Sequence, residues 1–234
     1  MEWLKSIAPN LVAYSKNFIE SCEQTFQMLL LSGIISFAIG LLLGVILTIT
    51  KKDGIKPNAV IFHVLDIIVS FFRAIPFLIL LIFLIPLTRS VVGTAIGVKG
   101  AILPLVFGCV PFFTRQVQAA LAGVDPGKVE AAKSMGSGTV GIIFRVYLHE
   151  AVPDLIRVTV ITAISLIGLT TMAGAVGAGG IGAFAINFGQ GLNHTDIIYV
   201  CVALLLIIVV LLQGIGDALA KNTTNKTLVN KKIK

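Results

Sequence analysis

The sequence predicts an all-α integral membrane protein in which five transmembrane helices are interrupted, between the third and the fourth, by a cytoplasmic segment of two short helices. Two observations carry that class. Of 234 residues, 56% are hydrophobic and 12% charged, about half the charged share of a typical soluble domain, and the mean hydropathy is +0.99. The apolar residues also fall into long runs, of roughly the twenty residues needed to cross a hydrocarbon core about 30 Å thick. An ordinary cytosolic enzyme is excluded. The 18 Lys+Arg against 11 Asp+Glu leave a net charge of +7, which in a soluble chain would point to nucleic acid. Here the positive residues lie in loops and tails, as the positive-inside rule requires, and no nucleic-acid partner is expected.

The first span covers about residues 26–50 and is stopped by Lys51, Lys52, Asp53 and Gly54. Ser36, Gly40 and Gly44 recur at four-residue spacing, which puts small residues on one face where another backbone can approach. The second span, about 59–87, carries His63, Asp66 and Arg73 in its first half, with Pro76 expected as a kink and Pro86 as the exit. A charge at the bilayer centre costs on the order of 3 kcal/mol. Arg73 is therefore expected at the interface, against a wet cavity, or paired; a residue of a permeation route and a structural arginine both fit.

The third span, about 100–122, passes through Pro104 and Pro111 and ends in the polar stretch 114–118. The fourth, about 152–176, runs into the small-residue tract GAVGAGGIG. Glycine costs up to about 1 kcal/mol relative to alanine in a helix, and bare backbone at membrane depth must border protein or water. The tract is thus expected to be the broken outer end of that helix. The fifth span is about 196–215. Residues 1–217 form one membrane domain, and 218–234 a basic tail holding Lys221, Lys226, Lys231, Lys232 and Lys234.

Orientation follows from the cations. Lys51, Lys52 and Lys56 after the first span, Lys128, Lys133 and Arg145 between the third and fourth, and the C-terminal lysines share one side, which the positive-inside rule makes cytoplasmic. Lys5, Lys16, Arg89 and Lys99 fall on the other side, so the N-terminus is expected outside a bacterial cytoplasmic membrane. Cys22, Cys109 and Cys201 are widely spaced and lie in or beside apolar runs, reading as small core residues with no disulfide framework. Residues 1–20 lack a continuous apolar core, so neither a cleaved signal peptide nor a lipid anchor is expected.

Residues 125–150 are too polar and too broken to span. Asp125 is placed as an N-cap with Pro126 at the first helical position, and Gly136 as a stop able to take a positive φ. The stretch between them spans about 15 Å of helix, half a membrane crossing. Val140, Ile143, Phe144, Tyr147 and Leu148 then form a stripe at helical spacing. Such a helix lies against a partner or along the membrane surface.

Glu130, Ala131, Ala132 and Gly136 within this segment resemble the EAA motif of the permease subunits of ABC importers. That pattern continues, nine residues past the glycine, as I-x-L-P. Here Val146 and Leu148 stand at the isoleucine and leucine positions, and His149 replaces the proline. FFRAIPFLILLIFLIPLTR, TTMAGAVGAGGIG and the five-helix layout further resemble the permeases of methionine importers, over about residues 20–217.

The resemblance implies a permease with no bond-making chemistry of its own. Glu130, Ala131, Ala132 and Gly136 would dock in a groove of a cytoplasmic ATPase subunit that carries the ATP and magnesium, with Lys133 and Arg145 adding charge complementarity or serving as a solvated face. It also implies a second copy of the chain, an extracytoplasmic binding protein or lipoprotein, surrounding lipid, and a substrate of methionine, L or D, or a close analogue. Met172, Arg73, Gly174 and Gly177 are the pathway and gate candidates, Met172 being equally readable as core filler.

The sequence contains no G-x-x-x-x-G-K-[ST] loop, so nucleotide binding by a P-loop is excluded. His63, His149 and His194 are solitary and no metal ligand set is expected. A permease for another small amino acid is the nearest alternative. A secondary transporter would place several ionisable residues near the midplane, and a lipid-modifying enzyme would cluster His or acidic groups at the interface; neither pattern is present.

Overall fold

The structure, a computed structural model, describes residues 8–232, with side chains through Thr223. Lys5 and Lys234 lie outside the described residues, as do the side chains of Lys226, Lys231 and Lys232. The described chain is helical: α1 Pro9–Ala13, α2 Ser15–Thr50, α3 Ala59–Ala74, α4 Phe77–Phe83, α5 Ile85–Val92, α6 Gly97–Ala122, α7 Pro126–Ser134, α8 Thr139–Ile142, α9 Val152–Ala173, α10 Gly180–Phe184 and α11 Thr195–Lys232. Wider π-helical turns follow α8 (Ile143–Leu148), α9 (Gly174–Ala178) and α10 (Ala185–Gln190).

Ser15–Thr50, Gly97–Ala122, Val152–Ala178 and Thr195–Thr223 are each long and apolar enough to cross a membrane, and α3 with α4 makes a fifth when the pair is taken as one broken span. The break has a local cause. Pro76 has φ −57° and ψ 135°; it cannot donate to a helical ladder, and it disfavours helical backbone at Ile75 before it. Pro86 does not mark an exit. It sits in the first turn of α5, where the missing N–H would have had no helical partner, so the stretch expected as one kinked helix is three. The first helix also starts earlier than its apolar run, at Ser15, and the last continues past the apolar run to Lys232.

The chain divides into two compact units. The first comprises residues up to 35, 75–109 and 163–211. One cluster within it joins Met28, Leu81, Leu105, Cys109, Leu166 and Ala173; another joins Phe18 and Cys22 to Ile181, Phe184, Ile197 and Cys201. The second comprises 36–74, 110–162 and 212 onward, with a cluster of Val45, Phe113, Val117, Leu121, Val129, Ala132, Ile142 and Tyr147. In this unit α2 and α6 approach closely. A Cβ at Gly40 would stand 2.8 Å from the Phe113 ring, and one at Gly44 2.6 Å from Val117, so the four-residue glycine spacing lets two helices meet.

Candidate coupling interface and permeation elements

The short helix α7 is defined at both ends by its sequence. Asp125 accepts a hydrogen bond at Oδ1 from the Gly127 amide (2.9 Å), with Pro126 at the first helical position. At the other end the Gly136 amide donates to the Lys133 carbonyl (2.9 Å) and the Ser137 amide to the Ala132 carbonyl (3.0 Å). With Gly136 at φ +76°, this is a Schellman stop, which satisfies carbonyls the helix would leave unpaired. A Cβ at Gly136 would meet no atom within 4 Å. Glycine is needed there for its backbone conformation alone.

The chain resumes as α8, loosens into the π-helical turns Ile143–Leu148 and stays helical through Glu150 before a turn at Ala151. His149 has φ −66° and ψ −46°, and its amide donates to the Val146 carbonyl. A proline would lack that donor and would disfavour helical backbone at Leu148. With histidine the helical hydrogen bonding continues, and the turn lies at Ala151. Lys128 Nζ pairs with Glu150 Oε2, fastening the first turn of α7 to the end of the second helical piece.

The two pieces bury one side and leave the other bare. Val129, Ala132, Ile142, Tyr147 and Ala151 pack with Val117 and Leu121 of α6 and with Val124 just beyond it, and burial pushes the Tyr147 hydroxyl pKa up from its ordinary value. Glu130, Ala131, Lys133, Gly136 and Arg145 are exposed, together with the apolar Met135, Val140 and Phe144 at 78%, 68% and 64%. The motif's two alanines therefore differ in role: Ala132 is packing, Ala131 is surface. The expected apolar stripe also divides, Tyr147 turning inward and Val140 with Phe144 outward.

The pathway candidates lie elsewhere. Arg73 is exposed near the end of α3, in the second unit. Met172, Gly174 and Gly177 belong to the first unit. Met172 is 47% exposed and shares an exposed face of α9 with Ser165 and Gly168. Gly174 is buried, and a Cβ there would sit 2.5 Å from the Ala183 amide nitrogen. The helical path breaks at Val176 and Gly177, Gly177 having φ +92°, and Gly179 and Gly180 are also at positive φ. The tract does not stay open to its end, because α10 forms within it.

Two side chains not singled out in the sequence seat that restart. Gln24 Oε1 accepts from the Gly180 amide (2.7 Å) and Thr25 Oγ1 from the Ile181 amide (2.8 Å), supplying partners to the unpaired first amides of a helix. Their separation of 156 residues left no pattern to read. A second missed feature joins α3 to α6. Arg115 Nη2 lies 2.5 Å from Asp66 Oδ1 and 2.8 Å from Ser70 Oγ, and its Nη1 lies 2.8 Å from Gln118 Oε1. Two opposite charges in apolar helices were the available signal.

Comparison with known proteins agrees with this architecture. Residues 30–225 match the family described as binding-protein-dependent transport system inner membrane component. The chain is 41% identical over 203 residues to the Vibrio cholerae protein named "Probable D-methionine transport system permease protein MetI", covering 87% of this chain and 90% of that one. It is 45% identical over 172 residues to the Bacillus subtilis "Methionine import system permease protein MetP", covering 74% and 78%. Among solved structures, an inward-facing conformation of the MetNI methionine ABC transporter is similar with a TM-score of 0.86 and 39% identity, over 90% of this chain and 98% of that one. With residues 30–225 matched and relatives at 41% and 45% identity over most of both chains, the chain belongs to the binding-protein-dependent transport system inner membrane component family.

Proposed function

We propose that this chain is the membrane-spanning permease of an ATP-driven importer for methionine, L or D, or a close analogue, and that a separate cytoplasmic ATPase drives it through residues 125–150. The observation that carries this reading is the bare face of that element. Glu130, Ala131, Lys133 and Arg145 are exposed on the same short element as Met135, Val140 and Phe144, while its buried residues pack within the second unit. Large exposed apolar side chains interspersed with charged ones on an otherwise packed element suit a protein docking surface. The names borne by the relatives support methionine as the substrate class.

In this mechanism the chain makes and breaks no covalent bond. Closure of the ATPase subunits pushes on α7 and α8, and the Lys128–Glu150 pair with the buried Ala132 and Tyr147 makes the two pieces move as one. Two copies of the chain form the pathway, with Met172 at its constriction and an extracytoplasmic binding protein delivering substrate. The broken tract at Val176 and Gly177 supplies the flexible border. The side holding residues 125–150 is cytoplasmic and the N-terminus is outside. That orientation is supported by the second unit, which holds Lys51, Lys52, Lys56, Lys128, Lys133 and Arg145, whereas the first holds Lys16, Arg89 and Lys99.

The test is methionine uptake by proteoliposomes carrying this chain with the ATPase and binding protein encoded beside it, comparing wild type with Glu130 and Gly136 variants. ATP-dependent uptake that is lost in variants that still assemble is the expected result. Uptake indifferent to ATP and to both substitutions overturns the reading in favour of a secondary transporter. ATPase activity stimulated by another solute, without methionine uptake, overturns the substrate alone.

A further inference from the structure

An apolar groove of about 670 Å³ lies within the second unit, between the last turns of α2 and the first turns of α3. Leu43 and Ile46 line it from α2, Ile61 and Val64 from α3, and Lys56 with Asn58 from the connector between them. The volume is that of a small-molecule site. The stretch of α2 from Leu43 to Thr50 is about 10 Å long at 1.5 Å per residue, within the depth of one leaflet of a bilayer whose core is about 30 Å.

The connector is held in place by backbone. The Lys56 amide donates to the Ile49 carbonyl (3.0 Å) and the Asn58 amide to the Thr50 carbonyl (2.9 Å), folding the connector back onto the end of α2. Gly54 permits this, since a Cβ there would stand 2.2 Å from the Ile49 oxygen. Asn58 Oδ1 accepts from the Ile61 amide (3.0 Å), fixing the start of α3. Lys56 is thereby held where it lines the groove while remaining exposed. The charged groups on the connector are Lys51, Lys52, Asp53 and Lys56, and none of them forms an ion pair among the described residues.

The occupant that fits is apolar along its length and anionic at one end. Water in the groove would leave its walls hydrated at a cost, and an apolar helix of a second copy would give Lys56 no counter-charge. We propose that the groove binds one anionic glycerophospholipid, with its phosphate at Lys56 and an acyl chain between Leu43, Ile46, Ile61 and Val64. The proposal requires only that α2 and α3 lie in a bilayer; it is independent of the substrate transported.

Native mass spectrometry of the full-length protein tests it, with phosphatidylglycerol or phosphatidylcholine of the same acyl chains added to the detergent-purified sample. Wild type is expected to retain phosphatidylglycerol about fivefold better, the factor carried by one lysine near an anionic lipid. Lys56→Gln should bring the two lipids level, whereas Lys52→Gln, on the same connector but off the groove, should leave the preference intact. Soluble glycerol phosphate should fail to displace the lipid. Equal retention by wild type, an equal effect of the two lysine variants, or displacement by glycerol phosphate overturns the proposal. So does cross-linking of an Ile61→Cys variant to its own counterpart, which puts a second copy in the groove.

Discussion

Arg115 and Asp66 form a charge pair, 2.5 Å between Nη2 and Oδ1, that ties α3 to α6 within the second unit. The guanidinium is further satisfied by Ser70 and Gln118, so most of its donors have acceptors. A planar group with fixed donors can hold several partners at once, which makes Arg115 a clamp between two helices. It stands about two turns before the end of α6, from which the chain passes into Asp125 and α7. If the ATPase drives residues 125–150 as proposed, Arg115 is the side chain expected to carry the displacement from α6 to α3.

Removing either charge alone leaves the other, partly exposed, without its partner between two helices, at a cost of about 1 kcal/mol or somewhat more. Arg115→Met and Asp66→Asn are each expected to lower the melting temperature of the purified protein, and Arg115→Met paired with Asp66→Leu to recover most of the loss. A pair that contributes nothing would show single variants melting with wild type. In uptake assays the stable double variant is expected to hydrolyse more ATP per molecule transported, since the clamp is gone while the fold remains.

Gly136 separates backbone conformation from space. Its φ of +76° lies where side chains are strained, yet no atom crowds a Cβ. Gly136→Ala is expected to cost about 1 kcal/mol, Gly136→Asn less, because a short polar side chain tolerates this region, and a β-branched Val more. Coupled uptake should follow the same order. If uptake falls equally for all three, the surface of the glycine matters and its conformation does not.

The limits of α7 are written locally: an acidic cap, a proline, nine residues and a glycine, each acting on its neighbours within one turn. The membrane class was legible for the same reason, since run length answers directly to bilayer thickness. What escaped reading depends on tertiary contact. Pro86 is compatible with the end of one helix or the start of another, and the fold selects the start. The π-helical turns at Ile143–Leu148 have no counterpart in the spacing of the stripe. Gln24 and Thr25 gain their roles only when Gly180 is brought beside them.

That seat gives a stability prediction. Thr25→Val keeps the shape and removes the acceptor for the Ile181 amide, and a buried donor left unpaired costs about 1–3 kcal/mol. Gly182 is tighter still, with a Cβ position 2.2 Å from the Thr171 carbonyl oxygen. Gly182→Ala must separate backbone from backbone and is expected to cost at least as much as ordinary overpacking, about 1–3 kcal/mol. Thermal melts of both variants check the ranking, with Gly168→Ala as the control. No atom lies within 4 Å of a Cβ at Gly168, so that change should be neutral or mildly stabilising. A destabilised Gly168→Ala would mean that the exposed face of α9 is covered in the purified state.

Met172 stands on that same face, and its two readings part on one measurement. Its side chain is 47% exposed in the single chain, so Met172→Ala opens no core cavity and is expected to shift stability by less than about 0.5 kcal/mol. As a constriction between two copies, the same side chain would block permeation at rest. A barrier lowered by about 1.4 kcal/mol, within the contribution of one buried methionine, raises a rate about tenfold. Proteoliposomes preloaded with labelled methionine should then leak about tenfold faster without ATP, while the variant melts with wild type. An unchanged leak together with unchanged ATP-coupled uptake would make Met172 a filler of the face between helices. A faster leak with an unchanged melt is the result expected of a residue that touches the path and carries little of the fold, and an exposed Met172 at the end of α9 meets the second condition.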